Sequence, residues 1–235
     1  MNYKNTIIII PVYNEELNIR NLIINLKKNY KDIFILVIDD SKNYLTVNEF
    51  KKINYSRTKI IHRGKKKGRG SAVREGMKYA VKKRFSSIIE MDGDFSHDPN
   101  EIKKMYKKFG INGLDLLIGS RYLKKSKIIN WPKNRIIFSF CANILAKFLF
   151  KYSYSDYTNG YRIYKYKLIK KILSKKQIST GFLYLTETLS IAIKYKFKIG
   201  EYPTTFRDRT KGTSSVNLIN ILKSLMDIII IKIKS

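Results

Sequence analysis

The stretch Ile88-Ile89-Glu90-Met91-Asp92-Gly93-Asp94-Phe95-Ser96-His97-Asp98-Pro99 carries two carboxylates spaced Asp-x-Asp at the end of a largely apolar run. The apolar residues read as a buried strand, and Pro99 as the break that follows it. Asp92 and Asp94 then stand at the strand's C-terminal mouth, where open α/β sheets bind ligands. Two carboxylates that close repel each other unless something positive lies between them. A divalent cation carrying a diphosphate answers that need, because Mg²⁺ is usually shared between one or two carboxylates and substrate phosphates. An Asp-x-Asp alone is also what a solvated acidic turn looks like. A second acidic strand end, Val37-Ile38-Asp39-Asp40, makes the turn reading harder to hold.

The elements that must position these carboxylates follow from the apolar periodicity. Strands are expected over 6–10, 33–38, 59–62, 88–91 and 114–119. Helices are expected over 15–28, 46–53, 68–83 and near 99–109. In the first of these Leu17, Leu22, Ile23 and Leu26 fall at helical spacing, with Asn14 as N-cap. In the third Ala72, Val73, Met77, Ala80 and Val81 share one face. Alternating helices and continuously apolar strands predict an α/β fold, with a mostly parallel sheet covered on both faces. Both acidic strand ends then lie on one side of it.

Beyond residue 120 the pattern changes. Residues 136–150 are nearly all apolar, interrupted by Ser139, Asn143 and Lys147, with Arg135 just before them. Spaced by four, these make one drifting polar stripe on a greasy helix. It suits either a core helix or a place where a lipid's phosphate meets its tail. Residues 218–233 form a second amphipathic segment, with Asn217, Asn220, Ser224 and Asp227 on a narrow polar face. That segment reads equally as an interfacial membrane helix or as a lid on the domain's own core. We expect a catalytic domain over 1–215, including an acceptor-side helix over 132–152, and a membrane-interface helix over 216–235.

The chain has 48 Lys and Arg against 18 Asp and Glu, a formal charge of +30, which suits an anionic ligand or surface. Part of this excess reflects a composition rich in Lys, Ile, Asn and Tyr. The single cysteine, Cys141, excludes an intramolecular disulfide. Neither a secretory leader nor a spanning helix is expected. Nucleic-acid binding is the distant alternative, but the aromatics are scattered and no zinc-ligand or heptad pattern is present.

Taken with Pro11-Val12-Tyr13-Asn14-Glu15-Glu16, Asp39-Asp40-Ser41 and Gly64-Lys65-Lys66-Lys67-Gly68-Arg69-Gly70-Ser71-Ala72, the Asp-x-Asp block resembles the family 2 glycosyltransferases of the GT-A fold. Later blocks narrow the resemblance to the dolichol-phosphate (polyprenol-phosphate) mannose synthases. They are Asp92–Pro99 with Met91 before it, Gly119-Ser120-Arg121-Tyr122, Trp131…Arg135…Ser139…Ala142-Asn143, and Thr158-Asn159-Gly160-Tyr161-Arg162. Gly181…Glu187, Ile199-Gly200-Glu201-Tyr202-Pro203 and Phe206-Arg207-Asp208-Arg209…Gly212-Thr213-Ser214 complete the set. The resemblance implies that Pro11, Tyr13, Glu15, Asp39, Asp40 and Gly70 hold the nucleotide sugar. It implies Asp92 and Asp94 as metal and diphosphate ligands, with Ser96 a third metal-side position. Arg121, Arg135 and Ser139 would cradle the acceptor phosphate, and Arg207 or Arg209 would close over the diphosphate. Three places depart from the family pattern: Lys42-Asn43-Tyr44-Leu45 beside the nucleotide, Cys141 on the acceptor helix, and Ser215.

The implied reaction is inverting transfer of mannose from GDP-mannose to a polyprenyl phosphate, with Mg²⁺ or Mn²⁺ as cofactor. The chemistry agrees with the residues. A phosphate monoester is largely dianionic at neutral pH and needs no strong general base. Glucose or an amino sugar from a UDP donor is the near alternative, and an inactive scaffold a further one. The implied place is the cytoplasmic face of a membrane, held peripherally by the chain's own helices or by a membrane-anchoring partner protein.

Overall fold

The computed structural model describes residues 3–150, 154–181 and 183–208. Nine strands and seven α-helices occur among them. In chain order they are β1 (Thr6–Val12), α1 (Ile19–Asn29), β2 (Phe34–Asp39), α2 (Leu45–Lys51), β3 (Thr58–His62), α3 (Arg69–Lys82), β4 (Ser87–Glu90), α4 (Ile102–Ile111) and β5 (Leu116–Ser120). Then follow β6 (Lys127–Ile129), α5 (Lys133–Phe150), β7 (Arg162–Lys165), α6 (Tyr166–Leu173), α7 (Tyr184–Lys194), β8 (Ile199–Pro203) and β9 (Thr205–Arg207). Seven strands form one sheet in the order β3-β2-β1-β4-β7-β5-β8. All neighbours are parallel except β7, which runs antiparallel between β4 and β5. The short strands β6 and β9 pair separately, in parallel.

The α/β architecture expected from the alternation is therefore present, with β7 as its antiparallel member. Ile7 to Ile10, Leu36 to Ile38, and Ile88 with Ile89 have no exposure, because helices cover both faces. Two buried clusters divide along the strand pleat. Ile7 and Ile9 pack with Ala72, Val73 and Met77 of α3, while Ile8 and Ile10 pack with Leu22, Ile23 and Leu26 of α1. This is the period-two split of a sheet buried on both sides.

Three local expectations need correction. The first helix begins at Ile19, four residues later than the apolar spacing suggested, and Leu17 is 59% exposed. Asn14 is not its N-cap: it lies at φ 56° and donates its N–H to Ser41 Oγ. The reason is local, since Asn18 folds back on Glu15 through both its backbone and its side chain and makes a turn where a helix start was expected. Third, Pro99 opens a 3₁₀ turn to Glu101, capped by Asp98, before α4 proper begins. The segment 216–235, and Arg209 with it, lies outside the described residues.

α5 departs from ordinary amphipathic packing. Its polar Asn143 is buried, accepting from Tyr157 N–H, while Ile137, Phe140, Ile144 and Phe148 are each at least half exposed. Polar Asn143 is thus turned toward the protein and several apolar side chains away from it. Among the described residues no helix is long and apolar enough to cross a membrane.

Candidate active site

The C-terminal ends of β1, β2 and β4 bring the two acidic strand ends together, as their parallel register requires. β4 ends at Glu90, a carboxylate with no solvent exposure. Burial pushes its pKa up, opposed by the guanidinium groups of Arg69 and Arg162. Arg69, at the start of α3, donates through Nη1 to Glu90 (2.5 Å) and through Nε and Nη2 to Asp92 Oδ1 (3.0 and 2.6 Å). It also donates to the Tyr184 hydroxyl. Burial alone would lower the Arg69 pKa, but the charges of Asp92 and Glu90 override it and the net shift is upward. Space for this guanidinium exists because residue 160 is glycine; a Cβ there would collide with Nη2.

The turn carrying Asp94 is held just as closely. Gly93 packs against β1, where a Cβ would come within 2.6 Å of Val12. Phe95 sits at φ 63°, a region that bulky residues rarely occupy and that concentrates at functional sites. Asp94 is buried and accepts the Ser96 N–H (3.0 Å). His97 locks the turn from beneath. Its Nδ1 accepts the Asp92 N–H (3.0 Å), so that nitrogen carries no proton, and its Nε2 donates to Asn159 Oδ1 (2.9 Å). Burial depresses the His97 pKa, with Asp92 pulling the other way. The ring stacks on Tyr161 at 4.8 Å and meets Phe206 edge-on at 5.6 Å.

No three His, Cys, Asp or Glu side chains among the described residues are grouped to hold a metal by themselves. The donor set still suits a hard cation shared with a substrate diphosphate. Asp92 and Asp94 supply carboxylate oxygens, and Ser96 Oγ is buried with no hydrogen-bond partner among the described residues. A buried hydroxyl without a partner, on the turn that carries both carboxylates, fits such a donor set.

Asp39 is fully buried at the end of β2. Its Oδ1 accepts from Ser41 N–H (3.0 Å) and Oγ (2.5 Å), and its Oδ2 lies 2.7 Å from His62 Nδ1. Tyr44, from the loop that departs from the family pattern, lies on the His62 ring at 4.5 Å. Tyr13 sits half-buried under the Lys66 ammonium, and Glu15 packs near Gly93. Pro11 is in β1, opposite Ile38. Asp40 is committed elsewhere: both its oxygens take the Arg63 guanidinium, and one also takes Lys67 N–H. Gly70 donates its N–H to Thr180 O, so its amide serves the closure of α3.

On the opposite flank the remaining candidates gather from distant segments. Arg121, at the end of β5, is buried and donates through Nε and Nη2 to both oxygens of Asp156 (2.8 and 2.9 Å) and to Thr158 (2.7 Å). Burial opposes both charges, yet the pairing wins: Asp156 is held below its usual value and Arg121 above. Arg135, in the first turn of α5, pairs with Asp208 at 3.0 Å and is partly exposed. Ser139, one turn further, is half-buried. Arg207 is exposed on β9, and its N–H donates to Ser96 O (3.1 Å), which ties it to the Asp94 turn.

Several residues here carried no isolated sequence signal. Glu90 did have one: a lone carboxylate inside an apolar strand demands a buried cation. Asp156 had none, and Asn159 and Phe206 stood in motif blocks that gave no sign of their contacts, because the partners of the three lie 35, 62 and 109 positions away.

Comparison with known proteins gives a consistent result. The profile described as Glycosyl transferase family 2 matches residues 7–173. The chain is 31% identical over 228 residues to polyprenol monophosphomannose synthase of Mycolicibacterium smegmatis, covering 96% of this chain and 86% of that protein. It is 26% identical to undecaprenyl-phosphate mannosyltransferase of Micrococcus luteus, covering 89% and 86%. Among solved structures, glucosyl-3-phosphoglycerate synthase from Mycobacterium tuberculosis, in complex with Mn²⁺, UDP and glucosyl-3-phosphoglycerate, superposes with TM-score 0.70 at 14% identity. It covers 97% of this chain and 78% of the other. Mannosyl-3-phosphoglycerate synthase from Rubrobacter xylanophilus gives 0.63 at 14%, covering 97% and 73%. At that identity the structures share the fold.

Proposed function

The chain belongs to glycosyl transferase family 2, and on that premise we propose that it moves mannose from GDP-mannose to a polyprenyl phosphate. The observation that carries the acceptor half is the position of Arg121 and Arg135. Both guanidinium groups lie against Trp131 at the foot of α5, whose exposed face carries Ile137, Phe140, Ile144 and Phe148. A phosphate-binding end joined to an apolar surface is what a lipid phosphate requires. The two relatives named for polyprenol and undecaprenyl phosphate support the same reading.

In this mechanism a phosphate oxygen of the lipid attacks the anomeric carbon. The bond from that carbon to the nucleoside diphosphate breaks, and the diphosphate departs with the bond's electron pair. Direct displacement inverts the centre. Arg121, Arg135 and Ser139 orient the acceptor, which is already anionic, so no side chain must remove a proton. Asp39, Tyr13 and Glu15 line the nucleotide end. Asp92, Asp94 and Ser96 would hold a divalent cation, which would supply charge neutralisation for the leaving diphosphate. Arg207 adds a positive charge on the same side. Peripheral attachment through the face of α5, and through 216–235, belongs to this proposal.

The test is a panel of GDP-mannose, UDP-glucose and UDP-N-acetylglucosamine against polyprenyl phosphate, read as lipid-linked sugar. Product from GDP-mannose alone is expected. Product from a UDP donor would replace the donor assignment, and no lipid-linked product with any donor would overturn the acceptor.

A further inference from the structure

Trp131 lies in the loop between β6 and α5, partly buried. Its ring stands under two cations at once: the Arg121 guanidinium carbon is 5.2 Å from the ring centroid and that of Arg135 is 4.9 Å. Both distances are within cation–π range. Phe206 backs the indole at 5.1 Å, and Phe206 also touches His97 under the Asp-x-Asp turn. The indole is therefore the surface on which the two acceptor-side arginines are mounted.

The charge of this cluster is largely spent. Arg121 is paired with buried Asp156, and Arg135 with Asp208. An incoming phosphate dianion meets two ion pairs rather than two lone cations, so Coulombic attraction alone is weakened. Neutral donors aimed at the phosphate become correspondingly valuable. Trp131 has one: its Nε1 is buried with no hydrogen-bond partner among the described residues. An indole N–H can only donate, and leaving it buried and unpaired is unfavourable. In a site flanked by two guanidinium groups, the acceptor that satisfies it is an anion.

We infer that Trp131 is a phosphate-binding residue of the acceptor site, donating its Nε1–H to the acceptor phosphate while its ring contacts both Arg121 and Arg135. This rests on the acceptor reading above, and it adds a contact that neither arginine supplies. It also makes the acceptor site optically visible. Trp131 is the chain's single tryptophan, so its emission reports on this place alone.

The experiment uses the intact chain. A short-chain polyprenyl phosphate, titrated without donor, should change the tryptophan emission saturably, and the parent alcohol should not. Trp131→Phe keeps a ring under the arginines and removes the N–H. It should raise KM for the polyprenyl phosphate about tenfold, the usual worth of a hydrogen bond to a charged group. The loss should be carried by KM rather than kcat, with the donor KM unmoved. An unchanged acceptor KM in Trp131→Phe overturns the inference. So does unchanged emission of the wild-type chain in the presence of a saturating phosphate that it glycosylates. If a water-soluble phosphomonoester such as 3-phosphoglycerate gives both effects, and the lipid gives neither binding nor product, the lipid reading fails and the role of Trp131 stands.

Discussion

The proposed donor side and the proposed acceptor side of the site are built on opposite principles. The donor side is a rim of carboxylates on strand ends, fixed by short-range geometry: Gly93 against Val12, His97 beneath the Asp92 amide, and Arg69 clamped between Glu90 and Asp92. The acceptor side is a stack of aromatic rings and guanidinium groups drawn from β5, the loop before α5, α5 itself, the segment near 156–159, and β9. On the function proposed, the first meets a ligand whose charge needs a cation, and the second meets an anion with cations whose own charges are mostly paired: one rim would neutralise a leaving group and the other would orient a nucleophile. Phe206 touches His97, Trp131 and Arg121 and so joins the two.

The largest effect is expected at Asp94. Asp94→Ala should lower turnover by about a thousandfold or more, as loss of a transition-state electrostatic group does, with circular dichroism and melting temperature near wild type. Retained activity with Mg²⁺ or Mn²⁺ would remove Asp94 from the proposed metal site.

The next test separates buried pairing from ligand contact. Asp156→Ala leaves Arg121 buried without its partner, and the expected destabilisation is about 3–5 kcal/mol by chemical denaturation. The partly exposed Arg135–Asp208 pair should contribute under about 1 kcal/mol. The pH dependence has a definite sign. Asp156 has a folded pKa below its unfolded value, so its contribution is fully present above roughly pH 4 and is lost as pH falls through the folded value. The stability gap between the wild type and Asp156→Asn should therefore narrow on acidification below that point. A gap that widened there would contradict the pairing as the source of the stability.

The last expected effect is kinetic. Arg135→Ala should raise KM for the lipid acceptor about tenfold, as loss of one charge-assisted hydrogen bond does, and leave that for the nucleotide sugar little changed. The reverse pattern would move Arg135 to the donor side and dissolve the distinction.

The two halves also differ in how far they could be read before folding. Asp39, Asp92 and Asp94 were legible because a strand that ends in a carboxylate announces both the element and its mouth, and parallel register then aligns the two ends. Asp40 illustrates the limit of that reading: the same strand end supplies it, but Arg63 and Lys67 take its oxygens. On the acceptor side, the four-residue spacing of Arg135, Ser139 and Asn143 showed a stripe. It did not show that Asn143 would point into the protein while Phe140 and Phe148 would point away.

What the sequence determined by itself is the local material: apolar runs that must be strands, helices whose apolar face must be covered, and acidic turns at the ends of β2 and β4. Period and polarity act over a few residues, and so they survive without the rest of the chain. The tertiary structure alone decided which charges remained for chemistry. Arg69 reaches Asp92 across 23 positions, and Arg121 reaches Asp156 across 35. A buried charge takes whichever opposite charge the fold brings within hydrogen-bond reach, and nearness in the chain has no bearing on that choice.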